Sequence, residues 1–318
     1  MTGLFTLGEG LGLIRGDGIG GLERLATAHI DTGGAEGNVA IGVARLGGEA
    51  TWLGRVGDDA LGRRVAGDLR SESVTVHAVV DTEAPTGLML KSTPRAGATV
   101  VDYYRRGSAG SRLSPADLEG SGLEDHRILH VTGITLALSS SARAAVLAAV
   151  QRAKSAGLLV SFAVNHRSRL WDADEATPHY LALLRTADIV FASAEEGDLL
   201  VAGAGSPGTD PEELVRELSR LGADETILTL GADGAAAVID GALHRVAAVP
   251  VSVVDTVGAG DAFAAGYLAE RLSGAPAAQR LRTAVTAGAL ACAHPGDWQG
   301  APRRPDLAAF DGHDPVSR

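Results

Sequence analysis

From residue 128 onward the chain is confined to layered α/β structure, because β-rich runs alternate with helical runs at short intervals. "RILHVTG" reads as a strand. It is followed by "SSSARAAVLAAVQRAKSAG", a helix with Val146, Leu147 and Val150 on one face and Gly157 suited to end it. "LLVSFAVN" returns as a strand, and "ADIVFAS" is the next, with the short helix "AEEGDLLV" behind it. "PEELVRELSRLG" opens a helix on proline and closes it on Gly222, and the strand "TILTLG" follows. Strands that return through helices pair in parallel, are covered on both faces, and bind ligands at their carboxyl ends. Aromatic residues are only 4% of the 318, so alanine, valine and leucine must fill the core.

The first third has a different rhythm. "GNVAIGVARLGG" reads as a helix ending in glycines, "ATWLGRVG" as a strand, and "DDALGRRVAGDLRSES" as a helix capped by Asp58. Around them, residues 10–33 and 75–106 carry short alternating runs such as "TVHAVVD", "TGLML" and "ATVVDYYRR". These suit a small antiparallel sheet, too slight to be stable alone and therefore a lid over the main sheet. No linker or repeat divides the chain, so residues 1–318 read as one domain, with "HDPVSR" as a frayed tail.

With 28 basic against 39 acidic residues the net charge is −11, which repels nucleic acid and anionic membrane alike. A single cysteine, Cys292, in the alanine-rich "AGALACAH", excludes an internal disulfide and reads as a buried small residue. The nine histidines lack ligand spacing. "MTGLFTLGEG" has neither the basic start nor the apolar core of a signal peptide, and no run of about 18 apolar residues occurs, which points to the cytoplasm.

Two glycine-rich stretches invite a phosphate reading. "GDGIGG" at 16–21 matches G-x-G-x-x-G, but the segment behind it is too short for a helix, a returning strand and a ribose-binding acid, so it reads as a mobile loop. A P-loop is absent, since the only two lysines, Lys91 and Lys154, lack its glycine spacing. "DTVGAGDAFAAGY", residues 255–267, is different. Gly258, Ala259 and Gly260 could bare a helix N-terminus to a phosphate, and Asp261 could then take a proton from an attacking hydroxyl. The alternative is a capping turn, with Asp255 or Thr256 as N-cap and Asp261 in the first helical turn.

"DTVGAGDAF" resembles the C-terminal signature of the PfkB-type, or ribokinase-like, carbohydrate kinases. "GGAEGNVAIGVARLG", "FASAEEGDLL" and "LGADGAA" agree with that family in order and spacing across nearly the whole chain. The resemblance implies a ribokinase-like α/β fold with a small β lid, ATP and Mg²⁺, Asp261 as base, and an anion hole at Gly258, Ala259 and Gly260. It further implies nucleotide contacts at Asn165, Ser193, Thr229, Gly231, Gly234, Gly258 and Gly260, and magnesium held through water by Glu196. By the same analogy the lid sheets pair in a homo-oligomer, and a potassium ion sits by Asp255, Thr256 and the end of "ACAHPG".

Within the family, "GGAEGN", "YYRRGSAGSRLSP", "NHRSRLW" and "GDWQG" resemble the 2-keto-3-deoxygluconate kinases. That likeness assigns Gly34, Asn38, Tyr103, Arg105, Arg167 and Asp297 to the sugar acid, and two arginines suit a carboxylate, onto which the guanidinium forks. Without the motifs, Arg105 and Arg167 would read as solvated surface charges. There are departures: Met89 stands where a substrate-facing tyrosine is expected, Ala163 replaces an acid, and Ser193 and Thr229 replace Asn and Lys. They keep open two rivals, a neutral-sugar or nucleoside kinase and a sugar-acid-binding regulator without turnover.

Overall fold

The computed structural model describes residues 2–95, 98–204 and 210–311. Its strands are β1 (Leu4–Leu7), β2 (Leu11–Ile19), β3 (Ala28–Gly33), β4 (Ala50–Gly57), β5 (Thr75–Asp81), β6 (Gly87–Arg95), β7 (Ala98–Tyr104), β8 (Ile128–Thr132), β9 (Leu159–Ala163), β10 (Ile189–Ser193), β11 (Glu225–Thr229), β12 (Ala235–Ile239) and β13 (Ala242–Val246). Its helices are α1 (Ala35–Arg45), α2 (Ala60–Ser71), α3 (Gly133–Leu138), α4 (Ser140–Ser155), α5 (Ala173–Leu184), α6 (Ala194–Gly203), α7 (Pro211–Arg220), α8 (Ala259–Leu272), α9 (Ala277–Cys292) and α10 (Arg304–Asp311).

Nine strands form the main sheet in the order β13-β12-β11-β10-β9-β8-β1-β4-β5, parallel except where β12 and β13 turn back at one edge. Side chains alternate between its two faces, and the alternation builds two cores. Phe5, Leu129, Val190 and Leu228 face α3 to α7, whereas their neighbours Leu4, Ile128, Ile189 and Ile227 face α1, α8 and α9. On the second face small residues meet where α1 crosses α8: a Cβ at Gly42 of α1 would collide with Ala265 of α8. The helices approach closely because nothing large separates them.

Local chemistry sets the helix ends. Ser139 caps α4 by accepting from the Ala142 N–H at 3.0 Å, and Asp210 caps α7 ahead of Pro211. Asp59, not Asp58, caps α2. Its carboxylate accepts from the Gly62 N–H at 2.7 Å and the Thr86 N–H at 2.8 Å, while Asp58 stays exposed. Leu147 is 46% exposed and so leaves the face that Val146 and Val150 bury. One residue of helical rotation, about 100°, separates it from Val146.

The lid is a four-stranded sheet, β3-β2-β6-β7, which confirms a separate small sheet but corrects its outline. "TVHAVVD" is β5 and extends the main sheet beside β4, parallel to it. The lid is also not wholly antiparallel, because β2 and β6 run parallel. The chain passes through β3, α1, β4, α2 and β5 between them, and such a crossover returns a strand in the same direction. Residues 16–19 of "GDGIGG" belong to β2, so that stretch is largely lid strand rather than loop. The tail residues 313–318 lie outside the described residues. Among the described residues no helix is long and apolar enough to cross a membrane.

Candidate active site

The carboxyl ends of the parallel strands and the start of α8 meet beneath the lid. Gly258, with a φ of 77°, is the N-cap of helix α8 and no side chain caps it, so neither Asp255 nor Thr256 is its N-cap. Asp255 instead folds into the turn, where its side chain accepts from the Val257 N–H at 3.2 Å. Among the described residues the Gly260 and Asp261 N–H groups have no partner, and a Cβ at Gly260 would meet nothing within 4 Å. An open helix N-terminus of this kind attracts an anion. Gly258 is constrained differently, since a Cβ there would collide with the Asp297 carbonyl oxygen.

Asp261 projects from the first turn of α8 and accepts from the Asn38 side-chain amide at 2.8 Å. Burial pushes its carboxyl up to about 7; Asp297 and Glu36 add to the rise, while Asn38 and the Arg167 charge oppose it. A carboxyl poised there can both hold and release a proton near neutrality. Asp297 is likewise pushed up to about 6, by burial first, and Lys91 pulls against the shift. Glu36 lies on the floor, where Oε1 accepts from the Thr132 and Thr135 hydroxyls, each at 2.6 Å, and burial raises its pKa.

The two arginines differ. Arg105 is 8% exposed and forms a buried ion pair with Glu9, with its guanidinium 4.2 Å from the centre of the Tyr103 ring. It is not a solvated surface charge. Arg167 is exposed, among the described residues its side chain bonds the His166 carbonyl alone, and its charge bears on both Asp261 and Tyr103. Tyr103 pairs with Met89 across β6 and β7, so both point to one face of the lid. Met89 is buried, with its methyl against Gly33. Gly34 enters α1 with a φ of 142°, pressed against the Glu9 carbonyl.

The residues expected on the nucleotide side come together at the ends of β9, β10 and β11, where Ser193 is the register partner of Thr229. Their side chains serve local structure. Ser193 and Glu196 form a reciprocal capping box on α6, and Glu196 also accepts from the His166 N–H at 2.6 Å. That bond braces the turn at Asn165, whose φ is 43°. Thr229 reaches the Ala192 carbonyl, and Gly231 and Gly234 turn the chain into β12 with φ of 55° and 90°. Among the described residues no cluster of three potential metal ligands exists. Glu196 keeps spare lone pairs on both oxygens, which fits a contact to a hydrated ion rather than a closed metal site.

Glu9 and Lys91 were not anticipated. The Lys91 ammonium pairs with Asp255, donates to the Gly296 carbonyl at 3.3 Å and lies 4.0 Å from Asp297 Oδ1. It stands where potassium was expected. One cue was available for it, a lysine directly behind the apolar run "GLML" of β6.

An open helix N-terminus, a carboxyl of raised pKa in its first turn and a small sheet over both stand on a fold that is ribokinase-like. Residues 17–304 match the pfkB family of carbohydrate kinases, and the chain belongs to that family. It is 35% identical over 311 residues to the 2-dehydro-3-deoxygluconokinase of Bacillus subtilis (strain 168), covering 96% of this chain and 94% of that one. To the 2-dehydro-3-deoxygluconokinase of Thermoproteus tenax it is 36% identical over 306 residues, with 95% and 92% covered. The solved structure of a putative ribokinase II from E. coli in complex with ATP and Mg²⁺ superposes with a TM-score of 0.90 at 27% identity, covering 99% of this chain and all of that one. The protein is therefore a sugar kinase, and a regulator without turnover is set aside.

Proposed function

We propose that this kinase transfers the γ-phosphoryl group of ATP to the C6 hydroxyl of 2-keto-3-deoxygluconate or a closely related sugar acid. The observation that carries the reading is the unpartnered N-terminus of α8 with Asp261 in its first turn. The sugar hydroxyl gives its proton to Asp261, which Asn38 orients. The Gly260 and Asp261 N–H groups, with Gly258 and Ala259 shaping the turn, receive the charge that develops on the phosphoryl oxygens. Asn165, Ser193, Thr229, Gly231 and Gly234 lie where the nucleotide would rest. Magnesium on its phosphates would offset their charge, held through water at Glu196. Lid closure excludes water, which otherwise competes for the phosphoryl group.

Arg167 is the free charge for the substrate carboxylate. Arg105 is already half-neutralised by Glu9 and serves with Tyr103, Gly34, Asn38 and Asp297 to shape the sugar pocket. Met89 favours a second reading, a neutral-sugar or nucleoside kinase, because it offers no hydroxyl opposite Tyr103. Cytoplasmic ATP would supply the reaction, and exposed Ile19, Ile30 and Tyr104 on the lid support its pairing with the lid of a second copy. ATP consumption over a panel of 2-keto-3-deoxygluconate, fructose, ribose and a nucleoside is the test. A preference for any neutral substrate would overturn the substrate assignment.

A further inference from the structure

We infer that the Lys91 ammonium is a built-in monovalent cation, which holds Asp255 and the turn beneath the phosphate cradle, so that catalysis needs no potassium. Lys91, Asp255 and Asp297 are 3%, 7% and 9% exposed. Burial of two carboxylates side by side is offset by a cation placed against them, here the Lys91 ammonium. The site offers a carboxylate, a main-chain carbonyl and a second carboxylate, which is oxygen chemistry that suits a bare monovalent ion as well as an ammonium. Lys91 pairs with Asp255, donates to the Gly296 carbonyl and lies 4.0 Å from Asp297 Oδ1, and a second cation there would meet its charge at contact distance.

The position matters for the reaction. The Val254 and Asp255 N–H groups bond the Cys292 carbonyl at 2.8 and 3.2 Å, and the Asp255 carboxylate accepts from the Val257 N–H. Gly296 and Asp297 approach from the other side, with the Asp297 carbonyl against Gly258. Neutralising Asp255 therefore fixes both segments that set the first turn of α8. Lys91 acts through them on the Gly260 and Asp261 N–H groups and is a positioning residue. It also belongs to β6 of the lid, whereas Asp255 and Asp297 belong to the body, so the ion pair ties the small sheet to the segments that set the first turn of α8.

The inference rests on the kinase activity but not on which sugar is the substrate. The test compares wild-type enzyme with Lys91→Met and Lys91→Arg in potassium and in tetramethylammonium salts of equal ionic strength, using the best sugar of the panel. Wild-type kcat is expected to agree within about twofold between the salts. Lys91→Met is expected to lose about tenfold or more in tetramethylammonium and to recover part of it in potassium or ammonium, since a lost charged contact is worth about that much. Lys91→Arg should remain potassium-independent. Melting temperatures give a readout free of catalysis: potassium should raise that of Lys91→Met and leave wild type unmoved. Stimulation of wild type about fivefold or more by potassium overturns the inference whether or not the variants fold. So does a Lys91→Met enzyme that is fully active without potassium. Inactivity on every sugar in both salts would count against the proposed substrate instead, and the melting comparison would still decide the role of Lys91.

Discussion

Beneath the lid and at the strand ends, this protein handles polar residues in opposite ways. Under the lid, polar side chains pair at long range: Arg105 with Glu9, Lys91 with Asp255, and Asn38 with Asp261. At the ends of β10 and β11, Ser193, Glu196 and Thr229 are half-exposed and satisfied by backbone groups close by. The contrast separates two tasks. A sugar must be recognised by side chains in fixed positions, and buried pairs fix them. A nucleotide can be met by main chain and helix ends, so the side chains there are free to brace the loops. On the proposed function, the residues at Ser193 and Thr229 are compatible with nucleotide binding, whereas a change under the lid bears on the substrate.

The largest expected effect is at Asp261. Asp261→Asn should lower kcat about 10²- to 10⁴-fold while nucleotide affinity changes little, since Asn matches the shape but cannot take the proton. In wild type, kcat/KM should rise with pH through about 7, the point to which burial pushes this carboxyl. The sign for stability is the reverse. With a folded pKa near 7 against an ordinary 3.8, Asp261 favours the fold below the lower value and loses that contribution as pH rises through the higher. Asp261→Asn should accordingly melt above wild type at about pH 8, and the gap should close on acidification toward about pH 4. A loss of activity under about tenfold, or a pH-independent melting difference, would break the assignment.

Gly260→Val should come next, with turnover and ATP affinity both impaired and a combined loss of about 10- to 100-fold, because a β-branched side chain would fill the cradle. Steady-state kinetics in ATP would reveal it, and unchanged constants would reduce the glycine to a turn residue. Arg105, directly behind β7 of the lid, and Arg167, in the loop after β9, sharpen the comparison. Arg167→Ala should cost about tenfold or more in kcat/KM for the sugar acid and little for a neutral sugar. Arg105→Ala should harm both substrates and lower the melting temperature, since it strands the buried Glu9 charge. Equal selectivity losses from the two would erase the distinction. Ser193→Ala should be mildest, at about 1 kcal/mol of stability through the lost cap, with kcat nearly unchanged. Denaturant titration beside an activity assay separates those two readouts.

Much of the fold was legible because its signals are local. Periodicity marked β8 to β11 and the helices between them, and proline, serine and glycine marked several ends. The failures share one cause. Nothing in "TVHAVVD" says which sheet it joins, since any short alternating run can pair with a free edge, and β4 offered one. Asp58 and Asp59 are equal as caps until Thr86 arrives to bond the second. Around the site, the spacing of Gly258, Gly260 and Asp261 was readable because a helix start places them within one turn. Glu9 and Lys91 escaped because their partners lie 96 and more than 150 residues away in sequence.

The sequence by itself determined that strands would alternate with helices, that a glycine turn would open α8, and that an acid would stand in its first turn, because φ preferences, side-chain period and capping act within a few residues. Only the tertiary structure decided that Arg105 is spent on Glu9 while Arg167 is left free, that Met89 faces the same side as Tyr103, and that a lysine of the lid fills the cation place beside Asp255. These are outcomes of burial and charge pairing. Both depend on distances between segments that the order of residues does not encode until the chain has folded and removed the water between them.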